Sequence, residues 1–212
     1  MKINRNGKYA IKFAKDSDSL VQVRPATEED HVVLVSSMGY ACRFLPSEAK
    51  TRVDAATGEL VTTHTVRVQG RVSQGVAGMK LQSGDRVVGM IVTDDFDTSV
   101  LTISKHGMAK RSRLGSGSMV EIKLEDGTIA QGDDGGPLME RDGYRKTNRG
   151  TKGVRTMALS DGDSIIGVRQ IPDLSDQLFM LTDKGMMIRM PATQTKETLG
   201  KVTKGTRIME LR

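Results

Sequence analysis

Residues 84–111, GDRVVGMIVTDDFDTSVLTISKHGMAKR, contain two sequence patterns that recur along the chain and indicate its fold. The first pattern is an Asp followed by apolar residues, and its copies begin at Asp18, Asp85 and Asp163. The second is an apolar, β-branched run that ends in a glycine turn, with a cation four residues after the glycine, at Arg43, Arg111 and Arg189. Because both patterns recur in the same order, the sequence predicts an array of similar structural units.

A third pattern follows the second at a more variable distance. It is a glycine loop with a cation four residues before its last glycine, and it occurs at residues 70–76 (GRVSQGV), 148–154 (NRGTKGV) and 200–206 (GKVTKGT). Surface loops tolerate variable spacing better than core elements do. We therefore expect these glycine loops at the surface of the array.

The repeated segments are short, rich in Val, Ile, Leu, Met and Thr, and interrupted by Gly, which is typical of β-strands. With about four strands in each unit, the sequence predicts an all-β, propeller-like array of about three to four blades. We predict one domain over residues 1–212, with units at about 18–81, 85–159 and 163–211. The absence of Trp argues against the WD40 class of propeller.

Charge is unevenly distributed along the chain. The formal net charge is +6 and the sequence pI about 9.5, yet residues 121–140 contain six acidic residues and one lysine. Within them, EIKLEDGTIA predicts a hairpin with Asp126-Gly127 at its turn. We predict an acidic hairpin insert at about residues 115–140.

Several classes of protein are disfavoured by composition. The single cysteine, Cys42, excludes an internal disulfide, and the three histidines have no metal-ligand spacing. No apolar run approaches the roughly 20 residues that span a bilayer, and no secretory signal is evident. We expect a protein of the reducing cytoplasm without cofactor or metal, and we interpret Asp18, Asp85 and Asp163 as turn residues.

Glycine loops with adjacent cations suit a phosphate oxygen, since the backbone can approach closely and its N–H groups are exposed. Three such loops in register would form a line of phosphate contacts, which fits duplex DNA. Aromatic residues are only 3% of the chain, and this disfavours single-strand binders that stack bases on aromatic rings.

The predicted DNA-binding residues lie in the second and third patterns and beside them. They are Arg43, Arg71, Gly75, Lys110, Arg111, Arg113, Arg145, Lys146, Arg149, Gly150, Lys152, Gly153, Arg189, Lys201 and Lys204. The alternative is that the glycines only permit tight turns and that the cations at Arg43, Lys110, Arg111 and Arg189 are solvated strand ends. A further hypothesis is that residues 121–140 compete with DNA for this basic surface.

The repeated patterns, and residues 70–90 (GRVSQGVAGMKLQSGDRVVGM) above all, resemble the C-terminal domain of DNA gyrase A and of its paralogue in topoisomerase IV. The resemblance implies a β-pinwheel, a propeller-like array of four-stranded blades that binds and bends duplex DNA around a basic outer edge. It also implies partners: the other regions of a topoisomerase and an ATPase (B-type) subunit, in the bacterial cytoplasm with the nucleoid.

The family's signature loop reads QRRGGKG, and residues 147–153 (TNRGTKG) match it at Arg149, Gly150, Lys152 and Gly153. None of the three tyrosines follows an arginine, as the strand-cleaving tyrosine of the family does, and no nucleotide-binding or hydrolase motif is present. The chain is therefore predicted to be non-catalytic by itself. Two alternatives remain: a propeller-like protein-interaction module that has lost DNA wrapping, and an RNA-binding protein built from small barrels.

Overall fold

The computed structural model describes residues 10–13, 15–70, 73–124, 126–198 and 203–210. Within these ranges the chain forms short antiparallel strands, and the single helical element is a 3-10 turn at Ala192–Gln194. The strands are β1 (His31–Ser36), β2 (Tyr40–Phe44), β3 (Ala49–Val53), β4 (Leu60–His64), β5 (Val87–Thr93), β6 (Ser99–Ser104), β7 (Met108–Arg113), β8 (Met119–Glu121), β9 (Met139–Arg141), β10 (Val154–Arg155), β11 (Ile165–Ile171), β12 (Gln177–Leu181), β13 (Met187–Pro191) and β14 (Thr206–Arg207). The all-β prediction is confirmed.

Two four-stranded sheets form the centre of the molecule. The first has the strand order β10-β2-β1-β5 and the second β11-β6-β7-β14. Three hairpins, β3–β4, β8–β9 and β12–β13, account for the other described strands. Each four-stranded sheet is thus a central hairpin, β1–β2 or β6–β7, with one further strand hydrogen-bonded to each of its edges.

The boundaries of the sheets differ from those of the predicted units. The first sheet takes β1 and β2 from unit 18–81 but β5 and β10 from unit 85–159, and the second sheet takes β11 and β14 from unit 163–211. The hairpin is local in sequence, whereas the strands that satisfy its edge N–H and C=O groups come from the following unit. Each four-stranded sheet is therefore shared by two sequence repeats.

The main core lies between the two sheets. Alternate residues of β5 are buried, at Gly89, Ile91 and Thr93, as expected for a strand with one face against the core. The fully or largely buried members of this core are Val33, Val35, Ala41, Ile91, Val100, Leu114, Tyr144, Met157, Ile165 and Val168. Burial of each large apolar side chain contributes about 1.5–3 kcal/mol, so this shared core holds the sheets against each other.

The acidic insert contains more order than one hairpin. Beyond the β8–β9 pair, Asp-Gly turns occur at 126–127, 134–135 and 142–143, each with its glycine in the left-handed region. Three backbone hydrogen bonds close a triangle, from Ile122 N–H to the Leu138 carbonyl, from Leu138 N–H to the Ala130 carbonyl, and from Ala130 N–H to the Ile122 carbonyl. An eight-residue repeat, which the single-hairpin prediction did not include, therefore underlies the insert.

Candidate nucleic-acid interface

The loop at residues 147–153 lies at the edge of the first sheet, directly before β10. Its backbone is fastened at two points: the Thr147 N–H donates to the Arg43 carbonyl at 2.6 Å, and the Gly150 N–H donates to the Gly78 carbonyl at 2.9 Å. Because both anchors are backbone groups, the loop keeps a defined shape in the absence of a ligand.

Arg149 is a third anchor of this loop. Its Nε donates to the Thr65 carbonyl at 2.8 Å and its Nη1 to the Ala77 carbonyl at 2.7 Å. The half-buried guanidinium thus ties the loop to the chain between β4 and β5. Arg149 therefore shapes the predicted loop with part of its donor set, and only its remaining N–H groups are left for an anion.

Gly153 is required where the loop meets β2. Its φ is +80°, and a Cβ at this position would lie 2.0 Å from the Ala41 carbonyl oxygen. Gly205 is equivalent, with φ +77° and a Cβ that would lie 2.2 Å from the Ala109 carbonyl oxygen. Since β10 pairs with β2 and β14 with β7, these two loops occupy corresponding edges of successive sheets.

An open groove of about 450 Å³ runs beside the loop. Its cations are Lys50, Arg145 and Lys146, and all three side chains are exposed. The Lys50 Nζ donates to the Asn148 Oδ1 at 3.1 Å. The Lys146 Nζ lies 2.6 Å from the Glu48 Oε1, and this hydrogen bond lowers the pKa of the Glu48 carboxyl.

Two further cations surround the ring of Tyr40 at the start of β2. The Lys152 Nζ lies 4.2 Å from the ring centroid and the Arg155 guanidinium carbon 4.9 Å. Arg155 also donates from Nη2 to the Tyr40 hydroxyl at 2.8 Å. The hydrogen bond from Lys152, and then the nearby charge of Arg155, lower the pKa of the Tyr40 hydroxyl. The tyrosine ring therefore holds two exposed cations in place through cation–π contacts.

Three predicted DNA-binding residues lie in the interior, and this corrects their prediction as DNA contacts. Arg43 is 1% exposed, and its Nη1 donates to the carbonyls of Leu114, Gly115 and Tyr144. Lys110 is also buried, and its Nζ donates to the Thr156 carbonyl at 2.7 Å. The same holds for Arg111, which donates to Thr195, Ser99 and Glu197. Buried donors already bound to internal acceptors cannot reach a phosphate.

The other predicted residues do not converge on one site. Arg113 is exposed but lies 2.7 Å from Asp97 and 3.5 Å from Asp142. Arg189 is exposed on β13, with its guanidinium over the Phe179 ring, and Lys204 is exposed beside Gly205. Gly75 has φ +73° with no atom near its Cβ position. Arg71 and Lys201 lie outside the described residues.

Sequence reasoning missed Lys50, Tyr40 and Arg155. Lys50 lies in the β3–β4 hairpin, outside the repeated patterns, so no sequence signal singles it out. Arg155 follows Gly153 by two residues, as Arg207 follows Gly205. The recurrence of a cation two residues after the loop glycine was a sequence signal that could have predicted Arg155.

Other kinds of site are not found in the part of the chain that the structure describes. There, no group of three or more His, Cys, Asp or Glu side chains could hold a metal ion. No helix of the described ranges is long and apolar enough to cross a membrane.

The fold defines the class of protein: a propeller-like β-repeat array in which successive units share four-stranded antiparallel sheets. The family model described as "DNA gyrase C-terminal domain, beta-propeller" matches residues 61–94, 98–116, 139–172 and 176–212. These segments make up more than half of the chain, and the chain belongs to this family. Residues 117–138, most of the acidic insert, fall between two matched segments.

Individual relatives agree with the family assignment. The A subunit of DNA gyrase from Staphylococcus epidermidis is 28% identical over 99% of this chain and 18% of its own length. The A subunit of the Rickettsia felis gyrase is 30% identical over 99% of this chain and 23% of its own length. The chain thus spans about a fifth of the length of these curated relatives.

Two solved structures share the fold. The C-terminal domain of DNA topoisomerase IV superposes with a TM-score of 0.68 at 19% identity, over 95% of this chain and 48% of that chain. The DNA gyrase A C-terminal domain superposes with a TM-score of 0.52 at 17% identity, over 89% of this chain and 64% of that chain. The predicted β-pinwheel fold is confirmed.

Proposed function

We propose that this chain binds and bends duplex DNA through the basic edge of its sheets. One observation carries the proposal: five exposed cations surround the anchored loop at residues 147–153, namely Lys50, Arg145, Lys146, Lys152 and Arg155. Cations arranged along a groove bind a phosphate backbone largely independently of base sequence. Lys204 and Arg207 at the corresponding edge of the second sheet are the next phosphate contacts along the duplex.

Contact geometry favours a duplex over a single strand. The half-buried aromatic ring of Tyr40 at this edge is already in contact with Lys152 and Arg155, so its face is not free for base stacking. Single-strand binding gains about 1–3 kcal/mol per base from such stacking. The described edge supplies charge without stacking surfaces, which suits an intact duplex.

The family relationship supports a larger role. We propose that the chain acts as the DNA-wrapping part of a type IIA topoisomerase A-type subunit in the bacterial cytoplasm. In this role it presents DNA to a catalytic core that cleaves the strands and works with an ATPase (B-type) subunit. The chain catalyses no step by itself. The relatives from Staphylococcus and Rickettsia, which are A subunits of DNA gyrase, support the assignment.

The test is the salt dependence of duplex binding, measured by fluorescence anisotropy of a labelled duplex. Affinity should fall steeply with salt, with a log–log slope of about −0.9 for each phosphate contact. The double substitution Lys152→Ala/Arg155→Ala should weaken binding and make the slope shallower by about one to two. Arg169→Ala is the matched control, because this exposed cation lies on β11, at the opposite edge of its sheet from β14.

Equal losses in the two variants, or binding that does not respond to salt, would contradict the proposed interface. Chiral wrapping is tested separately by ligating a nicked plasmid circle with the protein bound and measuring the trapped linking number. Wrapping predicts a shift in linking number that the Lys152→Ala/Arg155→Ala variant reduces. Binding with no shift would limit the function to DNA binding and non-chiral bending.

A further inference from the structure

The two four-stranded sheets obey one assembly rule. Strands β5 and β10 complete the β1–β2 hairpin, and strands β11 and β14 complete the β6–β7 hairpin, so the following unit donates a strand to each edge. The third hairpin, β12–β13, has the same internal register: Phe179 pairs with Arg189 as Leu101 pairs with Arg111. Among the described residues, however, no strand pairs with either edge of β12–β13.

Equivalent side chains show what the third hairpin lacks. Val33 and Leu101 are fully buried, whereas Phe179 at the same register position is 64% exposed. Ala109 and Met187 each follow their hairpin glycine by two residues, yet Ala109 is 2% exposed and Met187 is 63% exposed. Large apolar side chains that the repeat buries elsewhere thus form an exposed patch on β12–β13, which is the usual mark of an interaction surface.

Of the three aspartates that begin the first pattern, two cap a hairpin turn and one does not. Asp85 accepts hydrogen bonds from the Met38 N–H at 3.0 Å and the Ser37 hydroxyl at 2.8 Å, and so caps the turn of β1–β2. Asp163 accepts from the His106 N–H at 3.0 Å and caps the turn of β6–β7. Asp18 accepts the N–H of its neighbour Ser19 but caps no hairpin turn within the described ranges.

The segment that follows Asp18 lies where a donor strand should lie. Gln22 corresponds to Gly89 in the repeat, and its Oε1 accepts the Met90 N–H at 2.9 Å, so Gln22 contacts β5. The equivalent position of the next unit is also a contact, since a Cβ on Gly89 would lie 2.8 Å from the Val168 Cγ1 of β11. Leu20, Val21 and Val23 are 62%, 54% and 73% exposed.

Pro25 is compatible with this donor role. Met90 donates its N–H away from β1, to Gln22, and successive N–H groups of a strand alternate in direction, so the N–H of Val92 also points away from β1. Pro25 is the counterpart of Val92. A proline whose missing N–H would point away from the partner strand costs no ladder hydrogen bond.

We propose that β12–β13 of one copy is completed by residues 19–25 and 75–77 of a second copy, so that copies associate head to tail. Residues 19–25 pair with β12 as β5 pairs with β1, residues 75–77 pair with β13 as β10 pairs with β2, and Asp18 caps the Asp183-Lys184 turn. The contact continues the interface that the chain already makes twice within itself. It is a strand-addition interface, and because it is heterologous it generates rings or filaments.

On one side the incoming hairpin must displace an internal contact. The Lys12 N–H donates to the Ser73 carbonyl at 3.1 Å, and residues 10–13 there occupy the place that β13 would take. All four of these residues are exposed. Pairing of residues 75–77 with β13 would add the two residue pairs that β10 makes with β2, which outnumber this single bond, so exchange is favourable once copies are concentrated.

Sedimentation velocity of the 212-residue chain over a wide concentration range, without DNA, tests the proposal. We expect a concentration-dependent rise in mass. Phe179→Lys should lower the association constant about tenfold or more, because the new charge would be buried at the position of Leu101. Asp18→Ala should lower it about threefold to tenfold, the value of one capping hydrogen bond.

Leu60→Lys is the control, since this leucine is 74% exposed on β4, outside the proposed contact. Unfolding midpoints of all variants should match that of the wild type. A single monomeric mass at every concentration, or equal association of Phe179→Lys and Leu60→Lys, would overturn the proposal.

Crosslinking tests the register directly. The repeat places Arg24 of one copy opposite Phe179 of the other, as Arg169 lies opposite Leu101. A mixture of Arg24→Cys and Phe179→Cys chains should form a disulfide-linked heterodimer on oxidation, since paired strand positions satisfy disulfide geometry. A mixture of Arg24→Cys and Leu60→Cys should not. Equal yields from the two mixtures would refute this register.

Discussion

At the scale of single residues, one repeated position takes different environments along the chain. The arginine that follows each hairpin glycine by four residues is buried at Arg43 and Arg111 but exposed at Arg189. The difference arises from neighbours: Arg43 meets carbonyls of the chain that follows β7, and Arg111 meets those that follow β13. The residue type is repeated, but its role depends on what the next unit brings.

The substitution Arg43→Met should destabilise the fold, because it retains bulk but leaves the carbonyls of Leu114, Gly115 and Tyr144 without their donor. We expect a loss of about 3 kcal/mol or more in the free energy of unfolding. The same substitution at Arg189, which is exposed, should cost less than about 0.5 kcal/mol. Urea denaturation measures both values. Similar losses at the two positions would show that the hydrogen bonds of Arg43 do not stabilise the fold.

Protonation of His31 should oppose folding. Burial, followed by the charge of Arg43, lowers the pKa of His31 from 6.5 to about 4. Between these values the unfolded chain binds this proton and the folded chain does not, so stability falls as pH decreases from about 6.5 to 4. The neutral ring also accepts the Arg43 Nε–H at 3.2 Å.

The His31→Gln variant keeps an acceptor for Arg43 but cannot take up the proton. Its free energy of unfolding, measured by urea denaturation at several pH values, should decrease less than that of the wild type between about pH 6.5 and 4. If the two pH profiles run parallel, His31 does not titrate in the way that its burial implies.

At the scale of elements, the glycine loops act as joints between a hairpin and its edge strand. Gly153 closes against β2, and β10 begins at the next residue. Gly75 has the same sign of φ but open space at its Cβ position. The two loops therefore share a conformation and differ in how closely a neighbouring strand approaches.

Substitution of these two glycines by alanine should separate the cost of left-handed backbone strain from the cost of steric overlap with β2. Gly75→Ala has only left-handed strain, which costs about 1–2 kcal/mol. Gly153→Ala adds the overlap with the Ala41 carbonyl, so we expect a loss of about 3 kcal/mol or more and faster amide exchange in β10. Thermal unfolding and hydrogen exchange provide the measurements, and equal losses at the two sites would contradict the close approach at β2.

At the scale of the whole molecule, charge is separated between a basic sheet edge and an acidic insert. Asp126, Asp133 and Asp134 lie on turns that extend the β8–β9 hairpin, while Glu121 and Glu140 lie on its two strands. The matched family segments leave out residues 117–138. A negatively charged projection on a DNA-binding array would compete with DNA for the same cations. This hypothesis requires the proposed DNA-binding function.

Removal of the insert should then tighten DNA binding. Residues 121–139 can be replaced by two glycines, because Val120 and Glu140 are paired across β8 and β9. We expect higher duplex affinity at low salt and a smaller gain at high salt, where screening weakens the competition. A full-length control with Glu121→Gln, Asp133→Asn and Glu140→Gln retains the fold and should show part of the gain. Unchanged affinity in both variants would refute the competition.

Much of the fold could be predicted from the sequence because its determinants are local. Strand-forming runs, the Gly39, Gly107 and Gly185 turns and the repeat itself lie within short segments. These patterns predicted an all-β, propeller-like array, and the family resemblance implied the β-pinwheel. The eight-residue repeat of the insert was missed because its only shared signal is an Asp-Gly pair. The candidate site was predicted less well, since Lys50 and Tyr40 reach it from strands without a loop motif.

The hairpins, the glycine loops and the family relationship could be predicted from the order of residues. The folded arrangement was needed to show which cations face solvent, that Arg43, Lys110 and Arg111 are internal supports, and that each four-stranded sheet is shared by two units. A hairpin forms from neighbouring residues, whereas burial and edge pairing depend on strands from another unit. Similar sequence patterns therefore form core in two places and exposed surface on β12–β13.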